Sequence, residues 1–380
     1  MPVKHLDSGL AITHIDITSV RVPLATPYHL SNLYGTLTHS NAAIVKVTLK
    51  NGHIGWGEAD PGGKHFDGEN IQSTIRKLRD WAPELIGQQV DQWVSKKRGL
   101  AYAGTPAAAL DVACYDALGH ALQQPVWQLL GQKANKKIDS LWPISSGSSD
   151  DDLAIIEEYS AKGFRTFMLK MGNNSIEDDI QRLKTVINSV GNGIKIMVDA
   201  NQGWSLEQAK AFVDGTNDLF IELIEQPVIA NDISGMHELR KRANNFISAD
   251  ESAQSISQVK TILANQAADV FSLKISKNGG LTSCLEMANL IQKDNKLIMM
   301  NSMIELGITQ AASLHLGATL KNLVNCGHAY MSTLRMSDDI TNFSKLVING
   351  SALVPDTPGL GITVFEDKLK TYQVDTFHVC

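Results

Sequence analysis

The sequence predicts an α/β protein in which a parallel β/α barrel follows a smaller N-terminal domain. Its 380 residues are 43% hydrophobic and 19% charged, so the chain can bury a large core. Runs of alternating polarity occupy the start of the chain, and from residue 137 apolar runs of strand length alternate with helical segments. A formal net charge of −6 gives no support to binding of nucleic acid or of an anionic membrane.

The N-terminal domain is predicted to begin with antiparallel strands. Residues 13–59 contain strand-like runs, and Asn51-Gly52 between two of them is a hairpin turn signal. The polar, aromatic and glycine-containing segment 25–40 predicts either a plain connection or a loop that closes over a ligand.

Helical segments are predicted from about residue 70 to residue 130. Thr105-Pro106 starts the clearest helix, because proline is favoured in a first turn, and Gln124-Pro125 ends it. Gly131 is the expected stop of a last short helix. The polar and basic stretch that follows predicts a domain boundary, with residues 1–135 forming the N-terminal domain.

The barrel is predicted over residues 136–345, with a tail over 346–380 that packs back on the N-terminal domain. Helical patterns between the strand candidates fit the crossovers that parallel strands require. Eight candidates are enough to close a barrel. They are residues 138–146, 166–171, 194–200, 220–226, 246–250, 270–276, 296–301 and 322–326.

Charged residues recur at the ends of five of these runs, 24 to 29 residues apart. Barrel enzymes carry their chemistry at the carboxyl ends of the strands, so these side chains are the candidate active site. They are Lys170, Asp199, Glu225, Asp250 and Lys274.

Three of the five are carboxylates at adjacent strand ends, Asp199, Glu225 and Asp250. Three unpaired carboxylates repel one another unless a proton or a cation neutralises them, and oxygen-only ligands suit Mg²⁺, with Mn²⁺ as a possible substitute. Surface acids in βα loops would account for any one of them but poorly for all three at matched positions. The pattern therefore predicts a magnesium site at the barrel mouth.

The other two are lysines, Lys170 and Lys274, which flank the carboxylates on opposite sides of the predicted mouth. A lysine near a divalent cation has a depressed pKa and can act as a base at neutral pH. Together with the metal, the pair predicts removal of a proton next to a carboxylate, with Mg²⁺ stabilising the resulting enolate.

Several motifs carry a family resemblance that covers nearly the whole chain. They are GWGEA, ALDVACYDALG, FMLKMG, VDANQGW, LIEQPV, SADES, LKISKNGG, NSMIELGI and PGLGIT. In combination they resemble the muconate-lactonizing (muconate cycloisomerase) branch of the enolase superfamily, within the mandelate racemase/muconate lactonizing enzyme family. The resemblance implies a modified TIM barrel of (β/α)7β type with an N-terminal α+β capping domain.

The resemblance also implies roles. Asp199, Glu225 and Asp250 match the Mg²⁺ ligands, and Lys170 and Lys274 match the acid/base pair. Segments Tyr28–Thr38 and Asp60–Phe66 match the loops that set substrate specificity, and a symmetric homo-oligomer is expected. Five further residues are expected to contact the substrate: Met168, Asn201, Glu305, Tyr34 and His328.

Three departures from the family's sequence pattern narrow the range of reactions and substrates that we expect. Met168 stands where the family has the first lysine of Lys-x-Lys, so Lys170 lacks a cationic neighbour and should stay more fully protonated. The eighth strand candidate has no Asp-x-Asp pair to hold the ammonium of a dipeptide. The seventh offers residues 301–305 and no histidine, which disfavours dehydratases that use a His-Asp dyad.

The sequence thus predicts a Mg²⁺-dependent enzyme that acts on a small carboxylate through an enolate. A muconate-type cycloisomerase is the first choice, a racemase or epimerase of an N-substituted amino acid or proline derivative the second, and a dehydratase the third. The alternatives are a barrel that has lost catalysis and a zinc hydrolase, although none of the 11 histidines ends strands two to six. The scattered cysteines and the lack of a long apolar segment favour a cytoplasmic location.

Overall fold

The computed structural model describes residues 8–30, 34–63, 68–145 and 147–380. The first three strands, β1 (Ile12–His29), β2 (Thr36–Leu49) and β3 (Ile54–Ala59), form an antiparallel sheet. The predicted hairpin at Asn51-Gly52 is confirmed, with Gly52 in the left-handed region at φ 85°.

Four helices follow the sheet: α1 (Ile71–Leu85), α2 (Val90–Ser95), α3 (Thr105–Leu122) and α4 (Val126–Leu130). Proline at the start of α3 and Gly131 at the end of α4 stand where the sequence predicts them. Helix α3 lies so close to β3 that a Cβ on Gly57 would be 1.8 Å from the carbonyl oxygen of Ala109. The glycines of GWGEA therefore permit this helix to pack on the sheet.

The barrel sheet contains seven parallel strands that neighbour one another in chain order. Each consecutive pair is joined by a helix, as the predicted β/α alternation requires. The strands are β5 (Leu141–Ile144), β6 (Thr166–Lys170), β7 (Lys195–Asp199), β8 (Leu223–Glu225), β9 (Phe246–Ala249), β10 (Val270–Leu273) and β11 (Leu297–Met300). The six joining helices are α5 (Ser149–Ala161), α6 (Ile176–Ser189), α7 (Leu206–Thr216), α8 (Ile233–Arg242), α9 (Ile256–Ala264) and α10 (Leu281–Lys293), and α11 (Gly307–Thr319) follows the last strand.

Two strand predictions need correction. The candidate 138–146 is two strands, because β4 (Lys137–Asp139) pairs antiparallel with β13 (Ser351–Leu353) while β5 enters the barrel. Strand β13 also pairs with β12 (Val347–Ile348). The candidate 322–326 is an irregular segment that makes one isolated bridge to β11.

The irregular segment still occupies the eighth position of the barrel. Ile298 of β11 donates its amide to the carbonyl of Asn322 at 2.9 Å, and Leu141 of β5 donates to the carbonyl of His328 at 2.8 Å. A Cβ at Gly327 would lie 2.7 Å from the amide nitrogen of Leu141, so the chain passes very close to β5. Hydrogen bonds from one segment to both edge strands thus close the ring.

The end of the chain returns to the N-terminal sheet. After α12 (Glu366–Tyr372), strand β14 (Gln373–Val379) pairs antiparallel with β1, which gives the order β14-β1-β2-β3. The boundaries at 135/136 and 345/346 stay a prediction. Among the described residues no helix is both long and apolar enough to cross a membrane.

Buried carboxylates of the N-terminal domain cap helices of the barrel. Glu58 of β3 accepts amide hydrogen bonds from Leu306 at 2.7 Å and Thr309 at 2.9 Å, at the start of α11. Asp111 of α3 accepts one from Thr282 at 2.8 Å, at the start of α10. Carboxylates are favoured at helix N-termini, so these contacts fix the capping domain over the barrel.

Candidate active site

The five charged residues lie side by side at the carboxyl ends of neighbouring strands. Lys170 at the end of β6 pairs in register with Asp199 of β7, which in turn pairs with Glu225 of β8. Asp250 directly follows β9, and Lys274 directly follows β10. Their strands are buried, so the chain can hold these charges only at the ends, where the barrel opens.

Ion pairs join each lysine to a carboxylate. The ammonium of Lys170 contacts Asp199 Oδ2, and Lys274 Nζ lies 2.7 Å from Asp250 Oδ2. A third lysine, Lys277, lies 2.7 Å from the other oxygen of Asp250. All five side chains are at most 11% exposed, so the charges are desolvated and depend on one another.

Glu225 lies between the two ion pairs. Its Oε1 accepts hydrogen bonds from the Ser272 hydroxyl and from Asn301 Nδ2, the latter at 2.8 Å. Its Oε2 is buried and has no hydrogen-bond partner among the described residues. Burial, and then the charges of Asp199 and Asp250, raise the pKa of Glu225 well above its ordinary value.

The donor set of Asp199, Glu225 and Asp250 fits a hard divalent cation. It consists of carboxylate oxygens at three adjacent strand ends, and Glu225 Oε2 is buried without a partner. The three are not drawn into one tight cluster, because Asp199 and Asp250 turn toward the lysines. The structure does contain a tight group of ligand atoms at another place. On the N-terminal sheet, within the described residues, three His or Asp ligand atoms lie within 4.8 Å of one another.

Burial and neighbouring charges act in opposite directions on the pKa values of the two candidate lysines. Burial alone would lower the pKa of Lys170 and of Lys274, but the neighbouring carboxylates, Asp199 and Asp250 first, raise it above the ordinary value. Burial lowers the pKa of Lys277, and the nearby charge of Lys274 adds to that decrease. Both candidate bases are therefore protonated while they are paired with these carboxylates.

The side chains of Tyr34 and Asn201 both contact Glu251, a buried acid that the sequence analysis did not identify. The Tyr34 hydroxyl lies 3.1 Å from Glu251 Oε1, and Asn201 Nδ2 lies 3.3 Å from the same atom. Burial, and then the charges of Asp250 and Asp199, raise the pKa of Glu251 to about 8. Glu251 follows Asp250 in the quoted motif SADES, so a second acid beside a predicted ligand was the available signal.

A cavity lies over these strand ends, between the barrel and the capping domain. Met168, Lys170, Asn201 and Lys274 line its floor, together with residues 301–304. The capping domain supplies the other wall. Its contribution comes from both predicted specificity segments: Tyr28, Leu30, Tyr34, Leu37, Asp60, Pro61 and Gly62. Residues 31–33 and 64–66 of those segments lie outside the described residues.

Two residues expected to contact substrate lie behind the cavity wall. Glu305 is 1% exposed and contacts the Ser302 hydroxyl and Gln310 Nε2. The ring of His328 is buried where the eighth segment meets β11, and its Nδ1 accepts the Met300 amide at 3.0 Å. Burial lowers the pKa of His328 to about 4, so its ring is neutral and holds the barrel closed.

Arg335 is a cavity residue that sequence reasoning did not find. Its guanidinium lies 3.9 Å from the ring centroid of Tyr28, and its Nη1 donates to the carbonyl of Pro143 at 3.0 Å. Among the described residues, its buried Nε has no hydrogen-bond partner, and no carboxylate forms an ion pair with its guanidinium. It comes from an irregular segment after the barrel, where no sequence period marks a cavity-facing position.

Two family models match the chain over most of its length. Residues 12–131 match the mandelate racemase / muconate lactonizing enzyme N-terminal domain, and residues 152–368 match the enolase C-terminal domain-like family.

Curated relatives cover nearly all of the chain at about the same similarity. The N-succinyl-L-Arg/Lys racemase of Bacillus cereus is 30% identical over 96% of this chain and 98% of its own length. The L-Ala-D/L-Glu epimerase of Bacillus subtilis is 30% identical over 93% and 97%. Muconate cycloisomerase 1 of Pseudomonas putida is 30% identical over 95% and 96%.

Solved structures agree with these matches. The N-succinyl Arg/Lys racemase from Bacillus cereus superposes with a TM-score of 0.91 at 30% identity, covering 97% of this chain and all of that one. A dipeptide epimerase from Enterococcus faecalis, complexed with Mg and the dipeptide L-Leu-L-Tyr, superposes with a TM-score of 0.86 at 26% identity. That match covers 93% of this chain and 99% of the epimerase.

Proposed function

Because the chain belongs to the mandelate racemase/muconate lactonizing enzyme family of the enolase superfamily and is an isomerase, we propose that it moves a proton at the carbon next to a substrate carboxylate. The observation that supports this best is the pair of buried lysines, Lys170 and Lys274, which line the cavity from the ends of β6 and β10, with three strands between them. Asp199, Glu225 and Asp250 would hold Mg²⁺, which when bound would stabilise negative charge on the substrate carboxylate.

The lysines divide the reaction between two faces of the substrate. One lysine takes the proton from the α-carbon, which leaves an enolate, and the other returns a proton to the opposite face. Each lysine must lose its own proton before it can act as a base. Two of the three carboxylates that would ligate the cation, Asp199 and Asp250, now pair with the lysines, so the ion pairs and cation binding compete for the same oxygens.

Racemisation or epimerisation is the form of isomerisation that uses both lysines. A transfer of one proton between two faces needs an acid/base group on each face, and in this proposal Lys170 and Lys274, both of which line the cavity, take those two roles. Cycloisomerisation, the first expectation from the sequence, needs one such group. Met168, buried beside Lys170 where a second lysine is expected, favours cycloisomerisation as the second candidate, because without a neighbouring cation Lys170 is less often in the neutral form that accepts a proton.

Arg335 points to a substrate with a second anionic group. A cavity-lining guanidinium that has no acidic partner in the described part of the chain attracts a carboxylate and repels an ammonium. The eighth segment carries Cys326-Gly327-His328 and no acid pair that would hold the free amine of a dipeptide. An N-acyl amino acid with an acidic acyl group, such as an N-succinyl amino acid, and a muconate both satisfy this requirement.

The test is incubation of the Mg²⁺-loaded protein in D₂O with single enantiomers of N-succinyl amino acids and with cis,cis-muconate. We expect deuterium at the α-carbon by NMR together with loss of optical rotation for the first class. Loss of muconate absorbance without α-exchange of any N-acyl amino acid would favour cycloisomerisation. Absence of both reactions across the panel would contradict the proposal.

The role of Arg335 is tested with matched substrates whose distal carboxylate is replaced by an amide. Wild-type protein should prefer the acid over the amide by about 100-fold in kcat/KM, and Arg335→Gln should lose that preference, because a buried charged pair is worth several kcal/mol. Arg335→Lys should retain part of it, since it keeps the charge but loses the planar fork. An unchanged preference in Arg335→Gln would remove this residue from substrate recognition.

One further expectation from the sequence loses support, and another remains a proposal. A barrel without catalysis finds no support, since the relatives named above are all isomerases. A symmetric homo-oligomer is still proposed, and sedimentation of the 41.4 kDa chain tests it, because a lone monomer at micromolar protein would contradict it.

A further inference from the structure

A second group of metal-ligating side chains lies on the capping sheet, on strands β1 and β14. Asp16 and His378 are directly opposite each other in the antiparallel register, and His14 is two residues from Asp16 on the same strand. Residues two apart on a strand share a face, so all three side chains point the same way. Ile15 and Ile17 between and beside them are fully buried, which places His14, Asp16 and His378 on the outer face.

The three side chains converge on one carboxylate oxygen. His14 Nε2 lies 2.7 Å and His378 Nδ1 lies 2.5 Å from Asp16 Oδ1. The two imidazole rings stack with centroids 6.0 Å apart. One ligand atom from each of the three residues lies within 4.8 Å of the other two, a spacing at which they could hold one metal ion.

We propose that His14, Asp16 and His378 bind a divalent transition metal of the zinc class. Two imidazole nitrogens and one carboxylate oxygen are a ligand set that zinc takes in proteins, at distances of about 2.0 to 2.2 Å. Mg²⁺ disfavours imidazole ligands, so this site and the barrel carboxylates differ in the metal that they select. The site also stands outside the proposed reaction, because it lies on the outer face of the sheet.

Two features preorganise the site. Asp16 and His14 are 23% and 32% exposed, so the sheet shelters them, whereas His378 at 64% leaves the group open to an ion from solvent. The other ring nitrogen of His14 lies 2.9 Å from the sulfur of Cys380. Metal-binding histidines usually have such a second contact, which fixes the orientation of the ring.

A bound ion would connect the two ends of the chain. β14 is an edge strand whose side chains are half-buried at most, with Phe377 and Val379 packed against the core. An ion shared by β1 and β14 adds a cross-strand link at this edge. The metal therefore stabilises the C-terminal strand against local opening.

The experiment is a Zn²⁺ titration of chelator-stripped, reduced full-length protein against a colorimetric chelator, with saturating Mg²⁺ present. Wild-type protein should bind Zn²⁺ at this site, and Asp16→Asn and His378→Asn should each weaken it at least about 10-fold, since each removes a ligand. His53→Asn, at the β2–β3 turn of the same sheet, is the matched control and should bind as wild type does. Equal binding by wild type and His378→Asn would assign the ion to other residues and overturn the proposal.

Cys380 requires its own variant, because an exposed thiol can bind Zn²⁺ alone. Cys380→Ser should keep the Zn²⁺ site, and loss of binding in this variant with retention in Asp16→Asn would overturn the proposal. Hydrogen exchange supplies a structural readout. Zn²⁺ should slow amide exchange in residues 373–379 of wild-type protein and leave that of His378→Asn unchanged, whereas equal exchange with and without Zn²⁺ in wild-type protein would contradict the cross-strand link.

Discussion

Lys277 and Met168 make the surroundings of the two candidate bases unequal. Lys277 shares Asp250 with Lys274, so a second ammonium lies close to Lys274. On the other face the corresponding neighbour of Lys170 is the apolar, buried Met168. Because a nearby cation favours the neutral form of a lysine, Lys274 is better placed to act as the base and Lys170 as the protonated partner.

This inequality predicts different losses in the two alanine variants. Lys274→Ala should stop α-deuterium exchange, with a decrease on the order of 1,000-fold, as expected for loss of a general base. Lys170→Ala should retain exchange at one face even when product formation stops. Both are measured by NMR of one enantiomer of substrate in D₂O.

Met168→Lys is the matched variant for that prediction. It restores a cation beside Lys170, so exchange on the Lys170 face should rise and the kinetic pKa of the base should shift downward. Equal loss of exchange in both alanine variants, with no pH shift in Met168→Lys, would show that the inequality has no mechanistic consequence.

Glu225→Gln tests the carboxylate set with little change in packing. Glutamine keeps the shape and the acceptor that Ser272 and Asn301 contact, while it removes a charge that Asp199 and Asp250 repel. We expect Mg²⁺ affinity by calorimetry and turnover to fall about 100-fold or more, because a charged ligand is lost. The melting temperature without Mg²⁺ should stay the same or rise.

Glu305→Gln is the control for that substitution. It neutralises another buried acid near the barrel mouth that lies behind the cavity wall. Its Mg²⁺ affinity should equal that of the wild type. If Glu225→Gln also binds Mg²⁺ normally, Glu225 is not a ligand.

The sequence predicts part of this site and misses the rest for a physical reason. A charge that ends a buried strand is visible in one chain, which is why Lys170 and Lys274 were identified. The contacts of Lys277, Glu251 and Arg335 depend on which segments meet across the barrel mouth. No local period encodes those meetings, so only the fold reveals them.

At the scale of elements, Glu58 shows how the capping domain is attached. Its carboxylate accepts two amides at the start of α11, and burial raises its pKa to about 8 although both hydrogen bonds act in the opposite direction. The folded state therefore binds a proton more tightly than the unfolded chain does. The stabilisation from this proton is complete below the unfolded pKa and is lost as pH rises through the folded value.

Glu58→Gln should remove that pH dependence. Between about pH 5 and about pH 8 the free energy of unfolding of the wild type should fall relative to the variant, by at most about 1.4 kcal/mol per pH unit, because one proton is involved. Denaturant unfolding across this range measures the difference. The exposed Glu157→Gln should follow the wild type, and parallel curves for wild type and Glu58→Gln would show that Glu58 does not titrate in this range.

Strand prediction fails where the backbone changes partner within a run. Residues 138–146 read as one strand, yet they divide between two sheets at Ser140. Residues 322–326 read as the last barrel strand, but this segment is irregular, and it is the following Gly327 and His328 that meet β5 and the residue before it. Hydrophobic pattern reports burial, and both segments contain buried apolar residues, so it cannot report which strand each one pairs with.

For the whole molecule, the capping sheet is made from both ends of the chain. β14 completes the edge beside β1, and Phe377 of β14 lies under the guanidinium of Arg79 on α1 at 4.3 Å. The connection between β1 and β2 supplies Leu30 and Tyr34 to the cavity wall. The last residues of the chain therefore support a sheet whose first connection covers the active site.

Removal of residues 373–380 tests this dependence. We expect the free energy of unfolding to fall by about 3 kcal/mol, because the packing of Phe377 and Val379 against the core is removed and β1 loses its edge partner. Unfolding is measured with a chelator present, so that the proposed metal site does not contribute.

Deletion of Cys380 alone is the control for this truncation and should leave the free energy of unfolding within about 0.5 kcal/mol of the wild type, as for an exposed surface position. In the longer truncation KM should rise more than kcat falls, because the lysines and carboxylates belong to the barrel while the cavity wall belongs to the capping sheet. A truncated protein with unchanged stability and unchanged KM would show that β14 only covers the edge of β1.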